Sequence, residues 1–261
     1  MLAAPLDLAK ARILLCNDDG VHAHGLKVLE RIARSLSRDV WVFAPETEQS
    51  GASHSLSLHR PIRCRPVGRR RFAVEGSPTD SVLIAITEFL KDGPPDLVLS
   101  GVNRGANLGE DVTYSGTVAG AMEAAILGVP AIALSQQIAP DKAVHWDAAL
   151  EHAGAVIRKL VSTAWQRDVF FNVNFPNRPA ADVTGVQVVP QGRRSSSYEL
   201  LKVPDPRRRG YYLIGAAQRG DLIGRGASDW SAIEQGAVTV TPLHVDLTHR
   251  GMLRSSKALF S

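Results

Sequence analysis

Cysteine is scarce in this 261-residue chain: Cys16 and Cys64 are too few for a disulfide framework and lack the spacing of a zinc site. Cys16, inside an apolar run, reads as a small core residue. Aromatic residues make up 6%, which leaves little for stacking the bases of a single-stranded nucleic acid. No apolar run approaches the roughly 20 residues of a membrane-spanning helix. Residues 1–12 carry Asp7 and only a short Leu/Ala segment, unlike a secretory signal. A cytoplasmic protein without a membrane partner is therefore expected. With 44% hydrophobic and 21% charged residues, the chain has ample material for a buried core.

Familiar phosphate and hydrolase motifs are missing as well. No Gly-x-Gly-x-x-Gly follows the first apolar run, no Gly-Lys-Ser/Thr occurs, and there is no Gly-x-Ser-x-Gly elbow. These absences exclude a dinucleotide fingerprint, a Walker-type loop and an α/β-hydrolase nucleophile. An aspartyl phosphatase places a second Asp two positions after the first, whereas Asp18 and Asp19 are adjacent. The formal charge of +4 comes from arginine clusters at Arg60, Arg63 and Arg65, at Arg69, Arg70 and Arg71, at Arg193 and Arg194, and at Arg207, Arg208 and Arg209. No nucleic-acid module accompanies them, so they read as a solvated basic surface rather than a site for specific nucleic acid.

What is present is an alternation of short apolar runs with helical patterns. Strands are expected at 11–16, 40–44, 71–74, 96–99 and 131–134, with helices at 26–36, from Ser77-Pro78-Thr79-Asp80 through 90, and at 116–127. This spacing predicts right-handed βαβ units and a mostly parallel sheet covered on both faces. A helix at 145–164 and strands at 169–174 and 186–189 continue the pattern. From 191 to 226 the chain turns to Arg, Ser, Gly and Pro, suggesting an extended arm or hairpin, before strand alternation resumes at 237–241 and a polar tail follows. The expectation is an α/β fold, a Rossmann-like doubly wound sheet in three α/β/α layers. Its core would span residues 1–190, an arm 191–235, and a returning strand with a tail 236–261.

The run Ile13-Leu14-Leu15-Cys16-Asn17-Asp18-Asp19-Gly20 ends a buried strand in two adjacent carboxylates. Like charges at a strand tip repel unless a cation holds them, which marks Asp18 and Asp19 as candidate ligands of a divalent ion, although Asp and Gly also make ordinary polar turns. His22 and His24 read as loop residues, because hard cations favour oxygen. In an open α/β sheet the loops at the strands' C-terminal edges converge, here 17–25, 45–55 and 100–111. The third carries spaced glycines with Asn103 and Asn107, and directly after it Tyr114-Ser115-Gly116-Thr117 opens a helix. Exposed amides and hydroxyls there suit an anion such as phosphate; a simply capped helix after a flexible loop has the same appearance.

Taken together, the stretches 13–20, Gln49-Ser50-Gly51-Ala52-Ser53, Gly76-Ser77-Pro78-Thr79-Asp80, 100–109, 114–117, Asn172-Val173-Asn174-Phe175-Pro176 and 240–248 resemble the SurE family of metal-dependent 5′-nucleotidases, over nearly the full chain. The resemblance implies a phosphomonoesterase acting on nucleoside monophosphates, with one Mg²⁺ or Mn²⁺ per subunit and a C-terminal part that makes homodimer or homotetramer contacts. It places the metal ligands at Asp18, Asp19, Ser50 and Asn103, and the phosphate-facing positions at Asn107, Ser115, Gly116 and Thr117. Asp18 would then anchor the ion and Asp19 orient a water or act as base. Asn107, with the 115–117 segment, would stabilise charge on the phosphoryl oxygens. Two positions depart from the family pattern. His24 stands where proline is usual, altering loop stiffness, and Glu46 and Glu48 add negative charge at the mouth of the site. A pocket that binds nucleotides with metal but without turnover, a nucleic-acid binder, and a wider range of 3′-nucleotide or polyphosphate substrates are the alternatives.

Overall fold

Period-two alternation puts successive side chains of each strand on opposite faces of the sheet, and here both faces are apolar. The computed structural model describes residues 5–139, 142–194, 198–204, 209–217, 223 and 226–260; Arg207 and Arg208 lie outside the described residues. Its strands are β1 (Arg12–Cys16), β2 (Asp39–Pro45), β3 (Cys64–Gly68), β4 (Arg71–Val74), β5 (Leu97–Arg104), β6 (Ala131–Gln136), β7 (Val169–Phe175), β8 (Val186–Val188), β9 (Tyr198–Val203), β10 (Tyr211–Ala217) and β11 (Val238–His244). The helices are α1 (His24–Leu36), α2 (Pro78–Ile84), α3 (Gly116–Ile126), α4 (Trp146–Leu160), α5 (Asp229–Glu234) and α6 (Arg250–Lys257). Strand order is β3-β4-β2-β1-β5-β6-β7-β11-β8, with β9 and β10 forming a separate antiparallel hairpin. The run from β4 through β7 is wholly parallel, β3 and β11 pair antiparallel to it, and β8 lies parallel to β11.

Ile13 and Leu15 of β1 face α1 and α4 together with Leu97 and Leu99 of β5. Leu14 and Cys16 face the other way, joining Val98, Val82 of α2, and Val118 and Ala121 of α3. Three layers result, as expected. The connections β1-α1-β2, β4-α2-β5 and β5-α3-β6 obey one handedness. The connection β6-α4-β7 advances in the same direction across the sheet as β5-α3-β6 yet puts its helix on the opposite face, so those two crossovers have opposite hands, against a rule that holds for about 98% of such units. Asn177 secures the exceptional connection: its Oδ1 accepts from the His145 amide at 2.9 Å, and its own amide donates to Gln137 Oε1 at 3.0 Å.

Several boundaries differ from the expected ones for identifiable reasons. The helix from Pro78 changes into a π-helical turn, Ala85–Phe89, and stops there. Strand β5 does not end at 99 but runs to Arg104, through a register break between Ser100 and Asn103. The helix expected to reach 164 ends at Leu160, whose carbonyl accepts from Trp165 Nε1 at 2.8 Å. Within 191–235 the short α5 was not foreseen, and the polar tail contains α6. Cys16 is fully buried, as expected of a core residue.

The cap of α2 does more than begin a helix. Ser77 Oγ accepts from the Asp80 amide at 3.1 Å and Asp80 Oδ2 from the Ser77 amide at 2.8 Å, a reciprocal capping box. The same two side chains hold the 46–59 loop, through Ser77 Oγ donating to the Ser55 carbonyl at 2.7 Å and Ser57 Oγ donating to Asp80 Oδ2 at 2.8 Å. Ser77→Ala is therefore expected to lower stability by about 1–2 kcal/mol, or roughly 2–4 °C of Tm per kcal/mol. A thermal melt unchanged within 1 °C would show that the box carries no such load.

Candidate functional site

Chain direction diverges at β1, which continues through α1 to β2 on one side and pairs with β5 on the other. Loops leaving such a point open a crevice at the strands' C-terminal ends. Asp18 and Asp19 emerge there, in a turn closed by Asn17 Nδ2 donating to the Gly20 carbonyl at 3.0 Å. Helix α3 begins directly against them. A Cβ on Gly116 would lie 2.7 Å from the Asp18 Cβ, so the helix can approach this closely only because Gly116 has no side chain.

Asp18 is only 4% exposed. Its carboxylate accepts the Thr117 hydroxyl and sits at the positive end of α3. Burial nevertheless dominates, pushing its pKa up to about 6, with the Asp19 charge adding to the rise and Thr117 opposing it. Asp19, half-buried, accepts the Arg104 amide at 3.1 Å, and burial raises its pKa too. Among the described residues neither carboxylate has an ion-pair partner. The extension of β5 explains the contact with Arg104: past the register break after Ser100, the strand carries the Arg104 amide to Asp19.

The second loop folds back over the pair through the Gln49 amide, which donates to the Asp18 carbonyl at 2.8 Å. This brings Ser50 to the mouth, where its hydroxyl donates to Glu48 Oε1 at 2.8 Å and keeps its oxygen lone pairs for another partner. Glu46 is paired with Arg65, which offsets one of the two added charges, whereas Glu48 contributes to raising Asp19. His24 opens α1 and its ring packs on Trp146 of α4, centroids 5.2 Å apart. Several cluster arginines are similarly consumed in structure: Arg71 pairs with Glu30 at 2.6 Å and Arg194 with Asp111 at 2.8 Å.

Asn103 is half-buried, its Nδ2 donating to the Gly105 carbonyl at 2.9 Å. Asn107 is buried and tightly held. Its Nδ2 donates to Ser135 Oγ at 2.8 Å, its amide to Asn174 Oδ1 at 2.8 Å, and its carbonyl accepts from Asn172 Nδ2 at 2.8 Å. Ser115 caps α3 by accepting the Val118 amide at 3.0 Å, and Thr117 serves Asp18. Thus Asp18, Thr117 and Gly116 touch one another, Asp19 reaches Arg104 beside Asn103, and Ser50 lies on the overlying loop. The donors on offer are two carboxylates and the neutral oxygens of Ser50 and Asn103; among the described residues no three His, Cys, Asp or Glu side chains gather into a metal cluster. An all-oxygen set with desolvated, unpaired carboxylates suits a hard divalent cation.

Sequence reading gave no role to four supporting residues, although the stretch with Asn172 and Asn174 was noted. Ser135, Asn172 and Asn174 position Asn107; polar residues inside otherwise apolar buried strands were their signal. Asp229 accepts the amides of Gly109, Gly192 and Trp230 at 2.7–2.9 Å and ties the glycine-rich loop to the base of the arm, a long-range link with no local signature.

Because the folded chain binds the Asp18 proton more tightly than the unfolded chain, ionising Asp18 lowers stability as pH rises from about 4 through about 6. The rise to about 6 corresponds to roughly 3 kcal/mol at neutral pH, to order of magnitude. Asp18→Asn is thus expected to raise the Tm of the metal-free protein by several degrees at pH 7.5 and to have little effect near pH 4. Melts in EDTA across this range check it; an equal or lower Tm at pH 7.5 would refute the burial argument.

Comparison with known proteins gives a consistent placement. Residues 13–198 match the family model described as survival protein SurE. A protein from Paramagnetospirillum magneticum named 5'-nucleotidase SurE is 54% identical over 254 residues, 97% of each chain. Its namesake from Rhodospirillum rubrum is 53% identical over 251 residues, 95% of each. The crystal structure of SurE protein from Aquifex aeolicus superposes with a TM-score of 0.83 at 37% identity, covering 96% of this chain and 100% of that one. The chain belongs to the SurE family.

Proposed function

We propose that this protein is a divalent-metal-dependent 5′-nucleotidase that releases phosphate from nucleoside monophosphates. The observation that carries this reading is a pair of adjacent desolvated carboxylates at the point where strand order reverses, Asp18 packed against the N-terminus of α3 and Asp19 held by the Arg104 amide. The relatives' name, 5'-nucleotidase SurE, supplies the substrate class.

Asp18, Asp19, Ser50 and Asn103 would hold one Mg²⁺ or Mn²⁺. When bound, the ion supplies Lewis-acid polarisation of a phosphoryl oxygen and a more acidic water. The protein's own contribution is positioning. Thr117 fixes the Asp18 carboxylate through its hydroxyl, and Asp18 would anchor the cation. Asp19, held by the Arg104 amide, orients the attacking water and accepts its proton. Phosphoryl oxygens lie against Ser115, Gly116 and Thr117 at the start of α3, where the helix dipole favours negative charge. Asn107, immobilised by Ser135, Asn172 and Asn174, offers its remaining amide hydrogen to developing charge. Hydrolysis of 3′-nucleotides and polyphosphate belongs to the same chemistry, since the metal end of the site reads only phosphate.

The exposed apolar residues of the β9-β10 hairpin, including Leu200, Tyr212, Leu213 and Ile214, support assembly into a homodimer or homotetramer through the arm. Among the described residues no helix is long and apolar enough to cross a membrane.

Phosphate release from 5′- and 3′-nucleoside monophosphates, in Mn²⁺, Mg²⁺ or EDTA, tests the reading. Release is expected only with metal, and Asp18→Ala is expected to reduce it at least about 100-fold. Metal-dependent nucleotide binding without any phosphate release would favour a non-catalytic regulator instead.

A further inference from the structure

Helix α3 carries a single charged side chain, Glu123, among small and apolar neighbours, and that residue is only 5% exposed. A buried carboxylate is costly unless it is paired. Among the described residues its ion-pair partner is His54, whose Nε2 lies 2.8 Å from Glu123 Oε2. An ionised carboxylate only accepts hydrogen bonds, so Nε2 carries the proton whether the ring is charged or neutral. His54 belongs to the 46–59 loop, which also carries Ser50, so the pair joins this loop to the helix that meets Asp18.

These contacts form a closed circuit. Thr117, on the first turn of α3, donates to the Asp18 carboxylate, and the Asp18 carbonyl accepts the Gln49 amide at 2.8 Å. Ser50 follows directly, and then Ser53, whose amide and hydroxyl donate to the Tyr114 and Thr113 carbonyls at 3.2 and 2.7 Å. His54 closes the circuit on Glu123, six residues or about 9 Å of helix beyond Thr117. Within it, Gly51 and Ser53 adopt left-handed backbone, with φ of +75° and +54°. For a serine that conformation is uncommon and persists where the surrounding contacts impose it.

We propose that His54 and Glu123 are positioning residues of the metal site, their pair holding the Ser50 loop in place over Asp18 and so setting the affinity for the cation. The inference rests on the metal-dependent reading of the site and extends it to two residues that act through Ser50. Asp18 and Ser50 come from different loops, and one rigid helix spaces them, since α3 grips the first through Thr117 and the second loop through Glu123. Removing the pair takes away the contact directly after Ser53 and frees the left-handed turn to relax. A neutral hydroxyl oxygen contributes to a cation only when its surroundings hold it there.

The test measures Mn²⁺ binding and amide exchange in the full-length protein. His54→Ala and Glu123→Ala are each expected to weaken Mn²⁺ binding, read from the paramagnetic resonance of free Mn²⁺, about tenfold or more. The double variant is expected to bind no more weakly than either single one, because both remove the same contact. In a Ser50→Ala background, His54→Ala is expected to cost nothing further, a dependence that a merely structural role would not produce. His54→Gln, whose amide can still donate to Glu123, is expected to recover most of the affinity. In EDTA, exchange of the Gln49 and Ser53 amides in His54→Ala is expected to quicken about tenfold while the α3 amides stay protected, which also shows that the variant is folded. Should His54→Ala fail to fold, the double variant, which leaves no buried charge unpaired, takes its place. Mn²⁺ affinity that does not change, or that falls as much without Ser50 as with it, overturns the proposal, and so does unchanged exchange at Gln49 and Ser53. Wild-type protein that binds no Mn²⁺ would refute the metal-dependent reading itself, and the exchange measurement would still decide whether the pair holds the loop.

Discussion

The contact between Asp18 and the first turn of α3 is the constraint around which the site is arranged. A carboxylate this deeply buried is unfavourable unless something compensates for lost water. Thr117 and the helix terminus provide part of the compensation, but Asp19 lies alongside and opposes it. The balance leaves a charge deficit at one place on the molecule, and a divalent cation on oxygen ligands is the simplest way to fill it. A site held in this state sacrifices stability, a familiar trade at functional centres.

Everything nearby keeps that geometry rigid. Gly116 permits the approach, the bulge in β5 brings the Arg104 amide to Asp19, and Ser77 and Asp80 pin the loop that presents Ser50. Asn107 is locked by hydrogen bonds from two neighbouring strands and Asp229 gathers three amides at the base of the arm. Such satisfied polar networks in a low-dielectric interior resist displacement, because breaking one member strands the others without partners. The crossover of opposite hand plays a different part. By sending α4 to the far face it completes the core shared with α1.

The layered fold was legible in the chain because burial on both faces forces continuous apolar runs, and turn and cap residues punctuate them. Asp18 and Asp19 stood out for the same reason, as charges ending an apolar strand. Ser50 had no such local mark, and its role as a ligand, like that of Asn103 in the glycine-spaced loop, was reached only through resemblance; the Gln49 amide on Asp18 and the register break before Asn103 tie their two loops to the strand edge that carries the acidic pair. The support of Asn107 by Ser135, Asn172 and Asn174 was likewise hidden, since residues up to 67 positions apart meet there.

Sequence by itself therefore determined most elements of the parallel core, the layers and the acidic pair, all of which depend on local periodicity and on the chemistry of neighbours in the chain. Only the tertiary structure decided the face on which α4 lies, the assignment of Thr117 to Asp18, the pairing of Glu46 with Arg65 and the union of His54 with Glu123. These depend on which loops meet at one sheet edge, and that is settled by packing across long separations, where sequence pattern carries no signal.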